Sequence, residues 1–550
     1  MESRKYFSLP ITIVFYPAEL DFAFYLISMK KFLITTPIYY PNGYPHIGHA
    51  YSSFIADFYA RYKRLLWYEV KFSTGNDENS QKIVQQAEAE GKDIMKYLDE
   101  MWKKREGVWQ HLQISYTDFI RTTQKNHKKL VQEMLQKSYD KWDIYEGEYK
   151  GYYCIGCEAF KTEKDLILKD GNLVCPDHLT KPDLITEKNR FFKLKNYQKK
   201  MEDFYKKNPE FVIPEHRFNE MKSFVKSGLE DFSVSRETNK FGIPLPFDPK
   251  QVSYVRYDAL FNYVTVSREQ WFRDADTQII HILGKDIARF HAIFRPAMLM
   301  SVDYRLPDTE FVTGFFTVDG HKMSKSLGNV IDPVQMVDDY DRDAVIFNLL
   351  YDVPIGADGD FSVERLANLY ESMLIGGRGN LVNRVTSLCK KYGITSGKFN
   401  KQKREVFKEN NESKLVHFFH EGRDGSKIED QYLKKADIKW YLDDRYQLVQ
   451  RANEYMTITE PRSKYKNEET KSEALADLQF LLYIVKNIAL FSAPILVNGF
   501  KKIQAIFGNE EFSTIDTTVN NANNTFKEVF DLEEFPVNLN PQIMYKKKEI

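Results

Sequence analysis

The sequence predicts an α/β fold: a Rossmann-like, doubly wound parallel sheet, split by an inserted small domain and followed by an all-α domain. Three observations carry this. Short β-branched apolar runs alternate with amphipathic helical stretches early in the chain, the order that builds a parallel sheet. From about 146 to 235 that alternation breaks into short strands and turns holding three of the four cysteines. After about 365 the periodicity is helical almost to the end. The 550 residues leave room for several structural units.

Taken in order, Met1 to Ser28 is aromatic and apolar with a basic start at Arg4 and Lys5, but Pro10, Pro17, Glu19 and Asp21 interrupt it. It reads as an upstream extension or an early start rather than a secretory signal. Lys31 to Pro37, KFLITTP, is a buried strand. The turn-rich loop YYPNGYPHIGH follows, then a helix over Ala50 to Leu66 and a second strand over Val70 to Thr74. Residues from about 80 to 140 are amphipathic and helical. Beyond the insertion the α/β pattern resumes with QVSYVRYDALFNYVT, QIIHILGKDIARFHAIFRPAMLM and EFVTGFFTV. The polar stretch from Phe399 to Ile438 is expected to be a loop-rich insertion between helices. The Asn- and Lys-rich tail after about 508 is expected to be loosely structured.

Composition excludes some classes. Hydrophobic residues at 43% and charged residues at 28% fit a folded globular chain, not a disordered one. With 78 basic and 78 acidic residues, any basic surface for a nucleic acid must be local. Four cysteines exclude a disulfide scaffold and fit a reducing compartment. Mean hydropathy is −0.50, and no long uncharged apolar run announces a membrane span.

Three motifs carry chemistry. His46-Ile47-Gly48-His49 lies between a strand and a helix, where backbone N–H groups and the helix dipole favour an anion. Two imidazoles one turn apart can donate to phosphate oxygens, and Gly48 lets a nucleotide approach. His321 to Asn329, HKMSKSLGN, brackets Ser324 with Lys322 and Lys325 on a Gly-flanked loop, which suits the charge of departing pyrophosphate. Cys154-x2-Cys157 and Cys175-x2-His178 supply four ligands in two tight pairs, the spacing of one closed, structural Zn²⁺ site. Cys389 stands alone in a helix and reads as a core residue.

HIGH followed by KMSKS is the paired signature of class I aminoacyl-tRNA synthetases. The sequence resembles the methionyl-tRNA synthetase family, in its single zinc-knuckle form, from Met29 to about Gly508. The matching segments include FLITTPIYYPNGYPHIGHAY, GYYCIGCE with CPDH, YDALFNYVT, ILGKDIARFHAIF, HKMSKSLGNV, VPIGADGDFS and GNLVNRV. Related enzymes for isoleucine, valine and leucine carry a large editing domain for which this chain has no room.

The resemblance implies a methionine–tRNA ligase of the cytoplasm, a monomer with no membrane partner, using ATP with Mg²⁺, L-methionine and tRNA(Met). It implies His46, His49, Lys322 and Lys325 as catalytic residues, and His46, Gly48, His49, Lys322, Met323, Ser324, Lys325 and Ser326 around ATP. Ile38, Tyr39, Asp77, Tyr263, Asp286, His291, Arg256 and Arg295 would surround methionine, with Asp77 on its ammonium. Asn380, Arg384 and Arg462 would read the anticodon. The implied units are a catalytic first half over 29–145, a zinc insertion over 146–235, and a second half over 236–335. A stem-contact linker over 336–365, an anticodon-binding domain over 366–508 and a tail over 509–550 follow.

The chain also departs from the family's pattern. Arg256, Arg295 and Arg462 stand where the family has Trp, Trp67 and Trp142 where it has Gly, and Asn79-Ser80 where it has His-Gly. An Arg beside a thioether pocket is a poor exchange. One reading is a paralogue for another amino acid, or a non-catalytic tRNA-binding homologue. The other is a gene whose codons carry different assignments.

Overall fold

The structure is a computed structural model. It describes residues 30–546 except 155–158, 162, 164–165, 170, 177–178, 238–240, 268–269, 319, 324–327, 409–431 and 520–528.

In chain order the elements that matter are β1 (Lys31–Tyr39), α1 (Ile47–Leu65), β2 (Glu69–Asn76), α2 (Ile94–His111), β3 (Asp118–Arg121), α3 (Lys125–Asp140), β4 (Ile144–Cys154), β5 (Asp183–Phe192) and β6 (Val212–Ile213). Then come α4 (Val255–Leu260), β7 (Thr277–Gly284), α5 (Arg295–Ser301), β8 (Thr309–Thr313), α6 (Arg342–Asp352), α7 (Asn380–Lys391), β9 (Ser396–Lys398), α8 (Ile438–Thr459), α9 (Lys471–Ser492), α10 (Val497–Phe507) and β10 (Glu534–Pro536).

The main sheet has the order β3-β2-β1-β7-β8-β6, with every pairing parallel. β1 enters at the centre and the order reverses there, the topology that opens a ligand crevice at the carboxyl ends of the strands. Both faces are covered, so the strands alternate between two cores. Phe32, Ile34, Ile280 and Ile282 face α1 and the helical domain, while Leu33, Ile279, Leu283 and Val312 face the opposite cluster. Pro37 lacks the N–H a ladder needs, and the β1–β2 register shifts between Thr35 and Ile38. The shift falls at the end of β1 that faces the crevice.

The second sheet, over the insertion, is antiparallel, with β4 paired to β5 along ten residues from Ile144↔Phe192 to Tyr153↔Asp183. In the helical domain α9 is long and apolar enough to cross a membrane, with a window hydropathy of 1.5, but 83% of that window is buried. It carries buried Asp477 and Lys486, whose ammonium donates to the carbonyls of Val529, Phe530 and Leu532. It is a core helix around which the other helices pack.

The described part of the tail packs against the helical domain. β10 pairs with β9, and Phe530, Phe535, Met544 and Tyr545 are buried. Its apolar residues are spaced among polar ones without a period, so no sequence signal marks them. In the polar stretch after Phe399, a helix forms over Lys401–Lys408, and 409–431 lie outside the described residues. Residues 1–28 lie outside them as well.

Candidate active site

The crevice is built on the first loop. His46 caps α1, its Nδ1 accepting from the Gly48 N–H at 3.1 Å, while the His49 Nδ1 accepts from the His46 N–H at 3.1 Å. This reciprocal cap is made by two imidazoles instead of the usual hydroxyl and carboxylate. It has a chemical consequence. Burial first, then His46 and Arg105, hold His49 well below the ordinary imidazole range, so its ring is neutral. With Nδ1 accepting, its proton sits on Nε2, which leaves a neutral donor. The two rings lie 3.9 Å apart between centroids, and the Tyr39 ring meets His49 edge-on at 4.8 Å. Arg105 of α2 fastens the floor, donating to the Tyr39 and Tyr40 carbonyls and to Asn76 Oδ1.

The second motif arrives at the same place. His321–Lys322 pairs antiparallel with Phe316–Val318, and the Asp360 carboxylate closes the hairpin by accepting from the Gly320 N–H and the Thr317 hydroxyl, both at 2.7 Å. Met323 Cε lies 3.5 Å from where a Cβ on Gly48 would stand. The Ile47 N–H donates to the Ile331 carbonyl at 3.1 Å. HIGH and the arm that carries KMSKS therefore share one cleft. The Lys322 side chain, and Ser324, Lys325 and Ser326, lie outside what the structure describes.

Deeper in, Asp77 is buried at the end of β2, its N–H bonded to the Tyr39 carbonyl. Ile38 is half-buried where β1 ends. Tyr263 and His291 are buried and joined, hydroxyl to Nε2, at 2.8 Å. His291 Nδ1 faces the Ile287 carbonyl at 3.0 Å and is the donor there, so the Tyr263 hydroxyl donates to Nε2. Burial holds His291 down at about 3, keeping it neutral. Asp286 is exposed at the turn after β7, outside this buried group. Arg256, half-buried on α4, lays its guanidinium 4.0 Å from the Phe290 ring centroid. Arg295 is 1% exposed on α5, 4.5 Å from the Tyr263 ring and 3.5 Å from Glu310 Oε1.

Several residues here escape sequence reasoning. Glu310 is wholly buried in β8, its carboxyl pushed up to about 8 by burial despite Arg295. His281 is buried in β7 against Thr35, Nδ1 to hydroxyl at 2.6 Å. Both sit inside apolar strand runs, which conceal them. Asn79 and Ser80, which break the family's pattern, have local work. Asn79 Nδ2 donates to Asp258 Oδ2 at 2.5 Å, and Ser80 caps the helix Gln81–Ala89.

The family described as tRNA synthetases class I (M) matches residues 32–386. The chain belongs to the class I methionyl-tRNA synthetase family. A methionine–tRNA ligase of Caldanaerobacter subterraneus subsp. tengcongensis is 40% identical over 481 residues, 86% of this chain and 73% of that protein. One from Thermotoga maritima is 40% identical over 473 residues, 85% of this chain and 73% of that protein. A Mycobacterium tuberculosis methionyl-tRNA synthetase solved in complex with methionyl-adenylate superposes with a TM-score of 0.83 at 30% identity, covering 94% of this chain and all of that one.

Two further groups of residues that the sequence singles out lie elsewhere in the chain. In the insertion, Cys154 ends β4 and Cys175 follows the strand Asn172–Val174, both thiols buried. The Leu179 N–H donates to the Cys175 carbonyl and the Cys175 N–H to the Thr180 carbonyl, so Cys175 is held against 179 and 180. Cys157 and His178 lie outside the described residues, among which no group of three metal-ligating side chains occurs. In the helical domain, Arg384 and Arg462 line one cavity of about 500 Å³ with Asn383, Met456 and Glu460. Asn380, also exposed on α7, is not among the residues that line it.

Proposed function

We infer that this chain ligates L-methionine to tRNA(Met) with ATP, through methionyl-adenylate, releasing AMP and diphosphate. The observation that carries the reading is the meeting of the two signatures at Gly48 and Met323. The methionine carboxylate attacks the α-phosphorus of ATP and pyrophosphate leaves. The 3′-terminal ribose hydroxyl of the tRNA then attacks the activated carbonyl and AMP leaves.

In the first step negative charge builds on the α-phosphate oxygens. His49, neutral with its proton on Nε2, and His46 beside it would donate there, and the preformed cap at the start of α1 would need no reorganisation. Gly48 leaves the backbone open to the nucleotide, since a Cβ would stand 3.0 Å from His46 Cε1. Lys322 and Lys325 would hold the departing pyrophosphate, with Met323, Ser324 and Ser326 shaping that arm, and Mg²⁺ would share the phosphate charge. Asp77 would take the methionine ammonium. Ile38, Tyr39 and the Tyr263–His291 pair would line the thioether, and the neutral imidazole suits an uncharged side chain. Asp286 would reach the ligand from the rim of the cleft.

Zn²⁺ would be held by Cys154, Cys157, Cys175 and His178. The buried thiols, with Cys175 held against 179 and 180, fit that role, and the metal would close the two knuckles without touching substrate. Asn380, Arg384 and Arg462 would meet the anticodon.

Methionine-dependent ATP–pyrophosphate exchange tests the reading across all twenty amino acids. The expected result is exchange with methionine well above every other. No response to methionine would overturn it and favour the paralogue.

A further inference from the structure

We infer that the polypeptide the cell makes carries glycine at 67 and 142 and tryptophan at 295 and 378, because the fold rejects the conventionally translated residue at each of these four places. The argument is physical and needs no relative.

Trp67 closes the end of α1 with φ +69°, and Trp142 closes the end of α3 with φ +61°. Both make the same kind of closure. At the first, the Trp67 N–H donates to the Arg64 carbonyl and the Tyr68 N–H to the Lys63 carbonyl. At the second, the Trp142 N–H donates to Tyr139 and the Asp143 N–H to Ser138. Gly91 and Gly393 build the identical closure at φ +63° and +69°, and a Cβ there would meet nothing within 4 Å, so φ alone selects glycine. Gln113, Asp303 and Ala436 also adopt it, but a bulky aromatic is the residue least suited to left-handed backbone. At Trp142 no packing compensates, for the side chain is 79% exposed.

The second class of misfit is buried charge. Arg61 and Arg342 are equally buried, and all three nitrogens of each donate: Arg61 to Asp57, Thr517 and the Gln113 carbonyl, Arg342 to Asp57 and to the Leu112 and Ile495 carbonyls. Arg295 makes one contact at the 3.5 Å limit and leaves Nε and Nη2 without a hydrogen-bond partner. Arg378 is 2% exposed, and Nε, Nη1 and Nη2 all lack one. Among the described residues no other arginine has so many unsatisfied nitrogens. A guanidinium this poorly met is strongly disfavoured inside a protein. A flat apolar ring of similar reach suits 295, and at 378 the same codon would remove the unmet charge. At 295 it would stack between Tyr263 and Phe272, now 4.5 and 5.4 Å from the guanidinium, and its single N–H would have the Glu310 carboxylate as acceptor.

Two decoding changes join the four: a codon translated here as Trp at 67 and 142, other than the standard code's single Trp codon, specifies glycine, and one Arg codon specifies tryptophan. The family pattern already marks 67, 142, 256, 295 and 462; the structure adds 378 on burial alone. At 256 and 462 it does not discriminate, since Arg256 rests on Phe290 and Arg462 is exposed. An indole at 295 makes an uncharged wall behind Tyr263 and His291, which fixes the pocket for a thioether; that consequence rests on the proposed function.

Tryptic mass spectrometry of the full chain purified from its own organism decides the matter. Expected are peptide masses with glycine at 67 and 142 and tryptophan at 295 and 378, with no cleavage after 378; at 295 the mass alone decides, since Pro296 blocks cleavage there in either case. In the gene, the codon at 295 and 378 should be absent from the ion-paired Arg61, Arg121 and Arg342. The codon at 67 and 142 should be absent from the buried Trp109. Arginine found at 295 and 378, or tryptophan at 67 and 142, overturns the inference. As a second readout, the recombinant variant Trp67→Gly, Trp142→Gly, Arg295→Trp, Arg378→Trp is compared with the conventionally translated chain. Its thermal midpoint should rise by roughly 5 °C or more, and an unchanged or lower midpoint overturns the physical argument. Neither measurement depends on which amino acid is the substrate, so both can fail or succeed apart from the exchange assay.

Discussion

His49 shows how much a single residue does. It completes a helix cap and, because that cap occupies Nδ1, keeps the proton of its neutral ring on Nε2. His49→Asn is expected to lower the kcat of methionine-dependent pyrophosphate exchange by roughly 10²- to 10³-fold, the usual loss of one preorganised donor. The KM for methionine should stay within a few-fold, read from steady-state exchange. Glu310 makes the complementary point about pH. Its folded carboxyl titrates near 8, above the ordinary carboxylate value. The folded protein therefore binds the extra proton, and the stability this contributes is present below the unfolded value and lost as pH rises toward 8. Glu310→Gln should abolish that loss: the gap in thermal midpoint between mutant and parent should widen in the mutant's favour from pH 5 to pH 8. The buried His127 and His291 act oppositely, each held near 3 by burial, so their contribution disappears as pH falls from about 6.5 toward 3.

Elements show what a sequence can and cannot disclose. α1 is buried on nearly every side, wedged between the sheet and the helical domain. Its charges therefore have to be matched across the fold. Asp57 binds Arg61 four residues on and Arg342 of α6, both at 2.7 Å. Asp57→Asn leaves two buried guanidiniums short of a countercharge and should cost about 3–5 kcal/mol in urea denaturation. None of this was visible in AYSSFIADFYARYKRLL, which reads only as a helix. Periodicity reports which element forms, not how many layers close over it. The motifs were legible because phosphate and metal chemistry demand particular residues at fixed spacing: His46, His49 and the two lysines stood out for the first, the cysteine pairs for the second. Glu310 and His281 did not, since one polar residue in an apolar strand is invisible to a pattern of period two. The tail was misread for a related reason: its few apolar residues pack individually, Phe535 against Phe507 and Tyr545 beside Asp343, without any repeat.

At the scale of the molecule, the helical domain is fastened to the catalytic one by the same network. Arg342 donates to the Ile495 carbonyl, and Asp343 accepts from the Asn498 and Gly499 N–H groups at the start of α10. The two units thus share a buried, hydrogen-bonded joint, while the cleft at Gly48 and the cavity at Arg384 belong to different parts of the chain. Adenylate formation and tRNA reading should then be separable by mutation. Arg384 is exposed on α7 and makes no contact with the catalytic crevice that the chemistry of the first step would use. Arg384→Ala should leave methionine-dependent pyrophosphate exchange unchanged and raise the KM for tRNA(Met) in charging roughly tenfold or more, as expected for loss of one base-edge or stacking contact. The effect should not vanish at high salt, because a phosphate contact alone would be screened whereas a base contact would persist. If Arg384→Ala instead weakens exchange and charging together, the cavity is part of the joint's structure and the anticodon is read elsewhere.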